Sequence, residues 1–260
     1  MTPDQPPKPK RPVKTADKMA KLFVVLQEKE LAGVTELADE LDLAKSTTYH
    51  YLATLQSEGY ISKEGEKYRL GLRFLEHAVH VNRNLGVRPA VRPVIEDLAE
   101  ETGEAVWFLF EEHSFPIFLS RELGEQGVVS FRQIGKAEPA TAGGKAVLAQ
   151  YSEEEMKNIV TYLSRKHPEY VLPEPDTYVE RVEGVAERGY ATTVEEVESG
   201  VASVGAPVIR DDSVVGAVEV AGPTKRLEET LWDDLPGLVT SAANDIEIRL
   251  SNPDGRNPVF

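Results

Sequence analysis

Between Gly33 and Tyr60 the chain reads GVTELADELDLAKSTTYHYLATLQSEGY, and no other segment narrows the possible folds as much. Leu37, Ala38 and Leu41 recur at helical spacing, and so do Thr48, Leu52 and Leu55, so two short helices each own one face for a shared core. Only a tight turn fits between them. With Thr48 inward, an advance of about 100° per residue turns Ser46, Tyr49, His50 and Ala53 outward and leaves Lys45 and Thr47 at the flanks. This is the face that a helix-turn-helix lays in a major groove.

The next residues extend the unit. Tyr60-Ile61-Ser62 and Tyr68-Arg69-Leu70 flank Lys63-Glu64-Gly65-Glu66-Lys67, which predicts a hairpin wing whose Lys63, Lys67 and Arg69 meet phosphates and add affinity without sequence information. A bare helix-turn-helix also serves as a protein contact. Helix, turn, helix and wing in that order point to double-stranded DNA as the partner. The expected groove contacts are Ser46, Tyr49 and His50, and the expected phosphate contacts are Lys45, Thr47, Lys63, Lys67 and Arg69.

A net charge of −15 is unexpected in a DNA binder until it is divided along the chain. Residues 1–85 carry 13 Lys and Arg against 12 Asp and Glu, whereas residues 86–260 carry 16 against 32. The acidity belongs to the second part, where it repels DNA from every surface except the one the first part presents. The same carboxylate excess suits a protein kept soluble in a salt-rich cytoplasm. Zero cysteines exclude disulfides, thiol catalysis and cysteine-ligated zinc. No apolar run reaches the length of a membrane span, and the start, MTPDQPPKPKRPVK, has charge and proline where a signal peptide needs an apolar stretch, so a cytoplasmic protein is expected.

At 260 residues there is room for two cores. Residues 1–14 read as a disordered basic tail in which Lys8, Lys10, Arg11 and Lys14 offer an arm for DNA, and residues 15–71 as the winged helix-turn-helix, whose first helix runs from Asp17 to Lys29. Residues 72–86 read as a linker helix, with Leu72, Leu75, Val79 and Leu85 forming a stripe for a second copy of the chain. Residues 87–252 alternate helices and strands and form the second domain, and residues 253–260 are a tail. Within that domain Pro89 opens a helix to about Thr102, and 104–111 and 116–121 are strands around His113-Ser114. A strand is expected at 128–132, a helix capped by Thr141 through Gln150, a capping box at Ser152 and Glu155, and one helix over 176–188. A strand at 191–193, a hairpin of 201–209 with 214–221 turning at Asp211-Asp212, and a helix at 231–250 complete an α+β domain.

Several ordered segments carry a family resemblance over about residues 17–250: AKSTTYHYLATLQSEGY, GKAEPATAGGKAVLA, RGYATTVEEVESGVASVGAPV and VVGAVEVAGP. The chain resembles IclR-type transcriptional regulators. That resemblance implies a GAF-like α/β effector-sensing domain, a dimer made through the N-terminal part and often a tetramer, and control of a catabolic operon by a small polar metabolite. It also implies an effector pocket lined by Ala142, Gly143, Thr193, Ser203, Glu219 and Ala221. The last two depart from a common Ser-x-Ser pattern, and His50 stands where an arginine is frequent. Independently of the resemblance, Thr141-Ala142-Gly143-Gly144 is a helix start with exposed N–H groups that can meet a polar group.

Other functions find less support. A phosphate-binding loop ending at Gly144-Lys145 fails because Pro139 occupies its first glycine and Ala146 replaces the magnesium-holding hydroxyl. His77 and His80 lie three apart on the linker helix, but no carboxylate completes a known catalytic spacing, and Glu195-Glu196 point in different directions. No nucleophile elbow is present. No metal, cofactor or enzymatic activity is expected. A ligand-independent architectural DNA protein is the remaining alternative, although most of the chain is not DNA surface. Strand alternation turns Glu219 toward the expected pocket, and a buried carboxylate there favours a polyhydroxylated or cationic effector over an organic acid.

Overall fold

The structure, a computed structural model, describes residues 11–128, 134–135, 138–166, 172–228 and 233–251. It divides into two compact units between Leu85 and Gly86. The first begins with α1 (Lys14–Lys29), three residues earlier than its apolar spacing indicates, which buries Leu22, Val25 and Leu26. β1 (Ala32–Gly33) leads into α2 (Val34–Leu41), which ends at Asp42 in the left-handed conformation. The donated hydrogen bonds from Lys18 to the Leu41 carbonyl and from Lys21 to the Glu40 carbonyl satisfy the acceptors left open at that helix end. α3 (Lys45–Ser57) buries Thr48, Leu52 and Leu55. β2 (Ile61–Glu64) and β3 (Lys67–Leu70) form the wing in antiparallel register, Ile61 opposite Leu70 and Glu64 opposite Lys67.

β1 was not legible in the sequence, since two residues carry no periodicity. It adds to β3, with Ala32 opposite Tyr68, and makes a three-stranded sheet. Leu22, Leu26, Leu37, Leu41, Leu52, Leu55, Ile61 and Tyr68 fill one core that α1, α2, α3 and the wing share. α4 (Arg73–Asn84) continues this unit but buries no residue of its own, leaving Leu72, Leu75, Val79 and Val81 exposed. It is tied at its start, where Phe74 and His77 pack against the ring of Tyr60.

The second unit opens with α5 (Arg88–Thr102), which carries Pro89 in its first turn and stops at Gly103 with φ 72°. β4 (Ala105–Glu112) and β5 (Phe115–Leu123) follow as a hairpin. Then come α6 (Ala142–Leu148), α7 (Glu153–Lys166), α8 (Pro175–Val182) and α9 (Val185–Arg188). β6 (Ala191–Val194), β7 (Val201–Arg210) and β8 (Ser213–Pro223) precede α10 (Thr224–Leu227) and α11 (Asp234–Ser251). The five strands pair antiparallel in the order β5-β4-β8-β7-β6.

β8 is buried from Gly216 to Gly222 at every position, as a strand covered on both faces must be. α6 lies against the face that bears Gly205 and Glu219, while α5 and α11 pack on each other and on β4, β5, β7 and β8. The turn between β7 and β8 places Asp211 and Asp212 at φ 51° and 58°, the pair of left-handed residues that a two-residue hairpin requires.

Several expected elements differ. The single helix over 176–188 is two, because Gly184 between them takes φ 71° and breaks the hydrogen-bond ladder. The helix after Thr141 ends at Leu148 rather than Gln150, and α10 was not anticipated. Of the strand expected at 128–132, Val128 lies outside any strand and the rest falls outside the described residues, as do Lys8, Lys10 and the tail from 253.

Candidate DNA-reading face and effector site

α3 is amphipathic in the direction its sequence indicates. Thr48 is fully buried and donates its hydroxyl to the Ala44 carbonyl at 3.2 Å, which fixes the rotation of the helix entry. Lys45, Ser46, Tyr49, His50 and Ala53 are exposed, and Thr47 is half-buried. The rings of Tyr49 and His50 sit edge to face with centroids 6.3 Å apart, so the two side chains present one joint surface. On the wing Lys63 and Lys67 are exposed, and the ammonium of Lys63 lies 5.7 Å from the Tyr68 ring centroid. Arg69 is placed differently from its two neighbours. Its guanidinium pairs with Glu64 and donates to the Leu70 carbonyl at 3.0 Å, so it would have to exchange a carboxylate for a phosphate to meet DNA. Proximity of Glu64 and Arg69 follows from the hairpin register, Ser62 opposite Arg69, and not from sequence spacing.

The six residues that the resemblance implies as pocket lining are brought together. Strand pairing sets Ser203 opposite both Thr193 and Ala221, and Glu219 opposite both Gly205 and Trp107, so these side chains share one sheet face. α6 starts against that face. Gly143 donates its N–H to Glu219 Oε2 at 3.1 Å, and Ala142 is fully buried beside it. The Thr193 and Ser203 hydroxyls share a hydrogen bond of 2.7 Å, buried from solvent.

Two glycines make this approach possible. A Cβ on Gly205 would fall 2.4 Å from Gly143 N, and one on Gly143 would fall 2.6 Å from Leu109 Cδ1 and 2.9 Å from Glu219 Oε2. At Gly205 helix and sheet therefore meet backbone to backbone, while Gly143 is closed in by the side chains of Leu109 and Glu219. Thr141 caps the helix, accepting from Gly144 N at 3.1 Å while donating to the Glu138 carbonyl at 3.1 Å.

Sequence reasoning missed the apolar wall. Trp107, Leu109, Phe118 and Ala221 form one buried cluster on the same face, with Trp107 and Phe118 centroids 4.8 Å apart. The Arg121 guanidinium lies 5.2 Å from the Trp107 centroid. Alternation in AVWFLF marks Trp107 and Leu109 as same-face residues, but which strand they would lie beside has no local signal.

Lys145, set aside as the end of a failed phosphate loop, has a structural partner. Its Nζ lies 2.7 Å from both Glu196 oxygens, and Arg181 reaches the same carboxylate at 3.3 Å. Burial pushes the Lys145 ammonium below the usual lysine range, and the Glu196 carboxylate opposes that shift. Glu196 is thereby tied to α6 and α8, whereas Glu195 next to it takes φ 56° and carries no such pair, so the two do not act together. His77 engages the Tyr60 hydroxyl at 2.9 Å and His80 the Asn84 amide at 2.9 Å. Among the described residues no cluster of potential metal ligands occurs, and no helix is long and apolar enough to cross a membrane.

Residues 15–65 match the IclR helix-turn-helix domain, and residues 79–248 match the model described as bacterial transcriptional regulator IclR C-terminal. The chain belongs to the IclR family. Among its relatives is a probable HTH-type transcriptional regulator, ArcR, of Halobacterium salinarum, 31% identical over 85% of this chain and 89% of the relative. KdgR of Escherichia coli, an HTH-type transcriptional regulator, is 26% identical over 90% and 92% of the two chains. The fold matches that of an IclR family regulator from Brucella abortus with a TM-score of 0.76 at 22% identity, covering 96% of this chain and 98% of the other. An IclR homologue from Microbacterium hydrocarbonoxydans, solved with 4-hydroxybenzoate, superposes with a TM-score of 0.70 at 19% identity over 89% and 98%. Like these IclR relatives, the chain is a DNA-binding transcriptional regulator and not an enzyme.

Proposed function

We propose that this IclR-family protein is a homo-oligomeric regulator of a catabolic operon whose DNA binding is governed by a small metabolite that binds its second unit beside the start of α6. The observation that carries the reading is the convergence of Ala142, Gly143, Thr193, Ser203, Glu219 and Ala221, from four separate segments, on one face beside an aromatic cluster. A face built only for stability has little use for a carboxylate and two hydroxyls held away from water. Relatives support the ligand-sensing role by analogy: one is named the glycerol operon regulatory protein of Streptomyces coelicolor, and the Microbacterium homologue carries a small aromatic acid.

In this reading α3 supplies the base contacts through Ser46, Tyr49 and His50, while Lys45, Thr47, Lys63, Lys67 and, after release from Glu64, Arg69 meet phosphates. The exposed stripe of α4 joins two copies, so that two α3 helices fall on successive turns of one operator. The acidic second part and the kinship with a Halobacterium protein favour a salt-rich cytoplasm as its setting. The test uses the full chain and the promoter DNA nearest its gene. Operator affinity that changes at least tenfold with one metabolite, and does not change when Gly143 is replaced by alanine, is the expected result; equal affinity for operator and random DNA under all conditions would instead favour an architectural protein.

A further inference from the structure

The outward face of α3 is apolar along its middle. We infer that α3 reads each operator half-site through the 5-methyl groups of thymine, met by the ring of Tyr49 and the methyl of Ala53. This inference rests on the DNA-reading role proposed for α3 and names the feature of the duplex that the helix recognises.

Burial of Thr48, Leu52 and Leu55 fixes which residues of α3 face outward. The outward residues form two rows, because side chains four apart lie one above the other on a helix. Ser46 and His50 make one row, and Lys45, Tyr49 and Ala53 make the second, all of them exposed. Tyr49 is 55% exposed, whereas Tyr51 is half-buried and packs against the core of the unit. The His50 ring stands edge to face with Tyr49, centroids 6.3 Å apart and planes at 72°, and so supports the ring in its outward position.

What the helix lacks narrows what it can read. Guanine is normally recognised by Arg or Lys, adenine by Asn or Gln and cytosine by Asp or Glu, each through hydrogen bonds to the base edge. α3 contains no Arg, Asn, Asp or Glu, and its Lys45 and Gln56 stand in the first and last turns. The hydroxyls of the last turn are turned back onto the helix, Thr54 donating to the His50 carbonyl at 2.9 Å and Ser57 to the Thr54 carbonyl at 2.7 Å. Between the ends the outward face offers Ser46, His50 and the Tyr49 hydroxyl, none of which has the two-pronged geometry of a guanidinium, an amide or a carboxylate. Thymine presents the one apolar group of the major-groove edge, its C5-methyl, and Ala and Phe are among the side chains that meet it. An exposed ring and an exposed methyl in one row suit that group, and the contact removes apolar surface from water.

The test starts from operator sequences that the full-length protein selects out of random duplexes. Each thymine of the selected half-site is then replaced singly by deoxyuridine, which removes the methyl and keeps the base pair, and affinity is read by fluorescence anisotropy. At least one replacement should weaken wild type about fivefold or more. The same replacement should change the affinity of Tyr49→Ala or of Ala53→Gly by less than about twofold, because the partner of the methyl is already gone. Tyr49→Phe keeps the ring and should respond as wild type does. Deoxyuridine that leaves wild-type affinity unchanged throughout the half-site would overturn the inference while leaving α3 as the reading helix. Tyr49→Phe that loses as much affinity as Tyr49→Ala would also overturn it, by assigning the contact to the hydroxyl. The role of α3 itself fails separately, if the variant with alanine at Ser46, Tyr49 and His50 selects the same operator as wild type. The deoxyuridine scan on wild type decides the inference even if a variant does not fold.

Discussion

Gly205 shows how much one missing carbon can carry. With a Cβ there, the α6 backbone would have to retreat from the sheet by more than a neighbouring side chain can absorb, since the first atoms met are Gly143 N and Ala142 C. Gly205→Ala should therefore cost about 1–3 kcal/mol of stability by overpacking and abolish effector response. Urea denaturation with Gly237→Ala as reference measures it. Gly237 lies in α11 with nothing within 4 Å of its added Cβ, and alanine there should stabilise by up to about 1 kcal/mol through helix propensity. Thr141→Ala offers a milder perturbation of the same helix. It removes the acceptor for Gly144 N and should cost about 1 kcal/mol, largely recovered by Thr141→Ser.

At the scale of the element, the proposed reading divides the labour of binding DNA between α3 and the wing. Changing Ser46, Tyr49 and His50 together to alanine should erase discrimination between operator and random DNA, each good base contact being worth about 1–3 kcal/mol. Changing Lys63 and Lys67 should weaken both kinds of binding alike and flatten the salt dependence. Fluorescence anisotropy on both duplexes at several salt concentrations separates the two, and a wing variant that alone lost specificity would reverse the assignment. The orientation of α3 was legible because Thr48, Leu52 and Leu55 repeat at 3.6 residues and nothing else competes for that face. The break at Gly184 was not, because Asp176 to Arg188 keeps helical spacing through a glycine whose left-handed φ depends on the packing of Val182 and Val185. In the site, Thr193, Ser203, Glu219 and Ala221 were named correctly as neighbours only with the help of resemblance. Their convergence arises from β6, β7 and β8 lying side by side, and no local pattern states strand order. Trp107 shows the limit: its place beside Glu219 requires knowing that β4 pairs with β8, far away in the chain.

For the whole molecule, association and response are expected to be coupled. Leu72 at the N-cap of α4 and Leu75 and Val79 within it are 72%, 62% and 50% exposed, an apolar stripe that a soluble helix does not ordinarily leave uncovered. Placing glutamate at both Leu75 and Val79 should convert the oligomer to monomer and lower affinity for a two-fold operator at least tenfold, read by sedimentation and anisotropy. A monomer that kept full operator affinity would remove the dimer mechanism. An effector can shift such an equilibrium only by the difference in its affinity for the two arrangements, so a ligand of equal affinity for both would bind without regulating.

The pairing of β4 with β8 also governs the order in which the protein comes into being. Residues 14–84 find their partners nearby, through α1 to α4 and the three short strands, and can condense while synthesis is still under way. The five-stranded sheet cannot close until Ala221 has been made to lie beside Ala105, so its middle stays open until the chain is nearly finished. A message cut short between those points would thus yield the first unit without the second, which on the proposed reading is a DNA-binding module deaf to any metabolite.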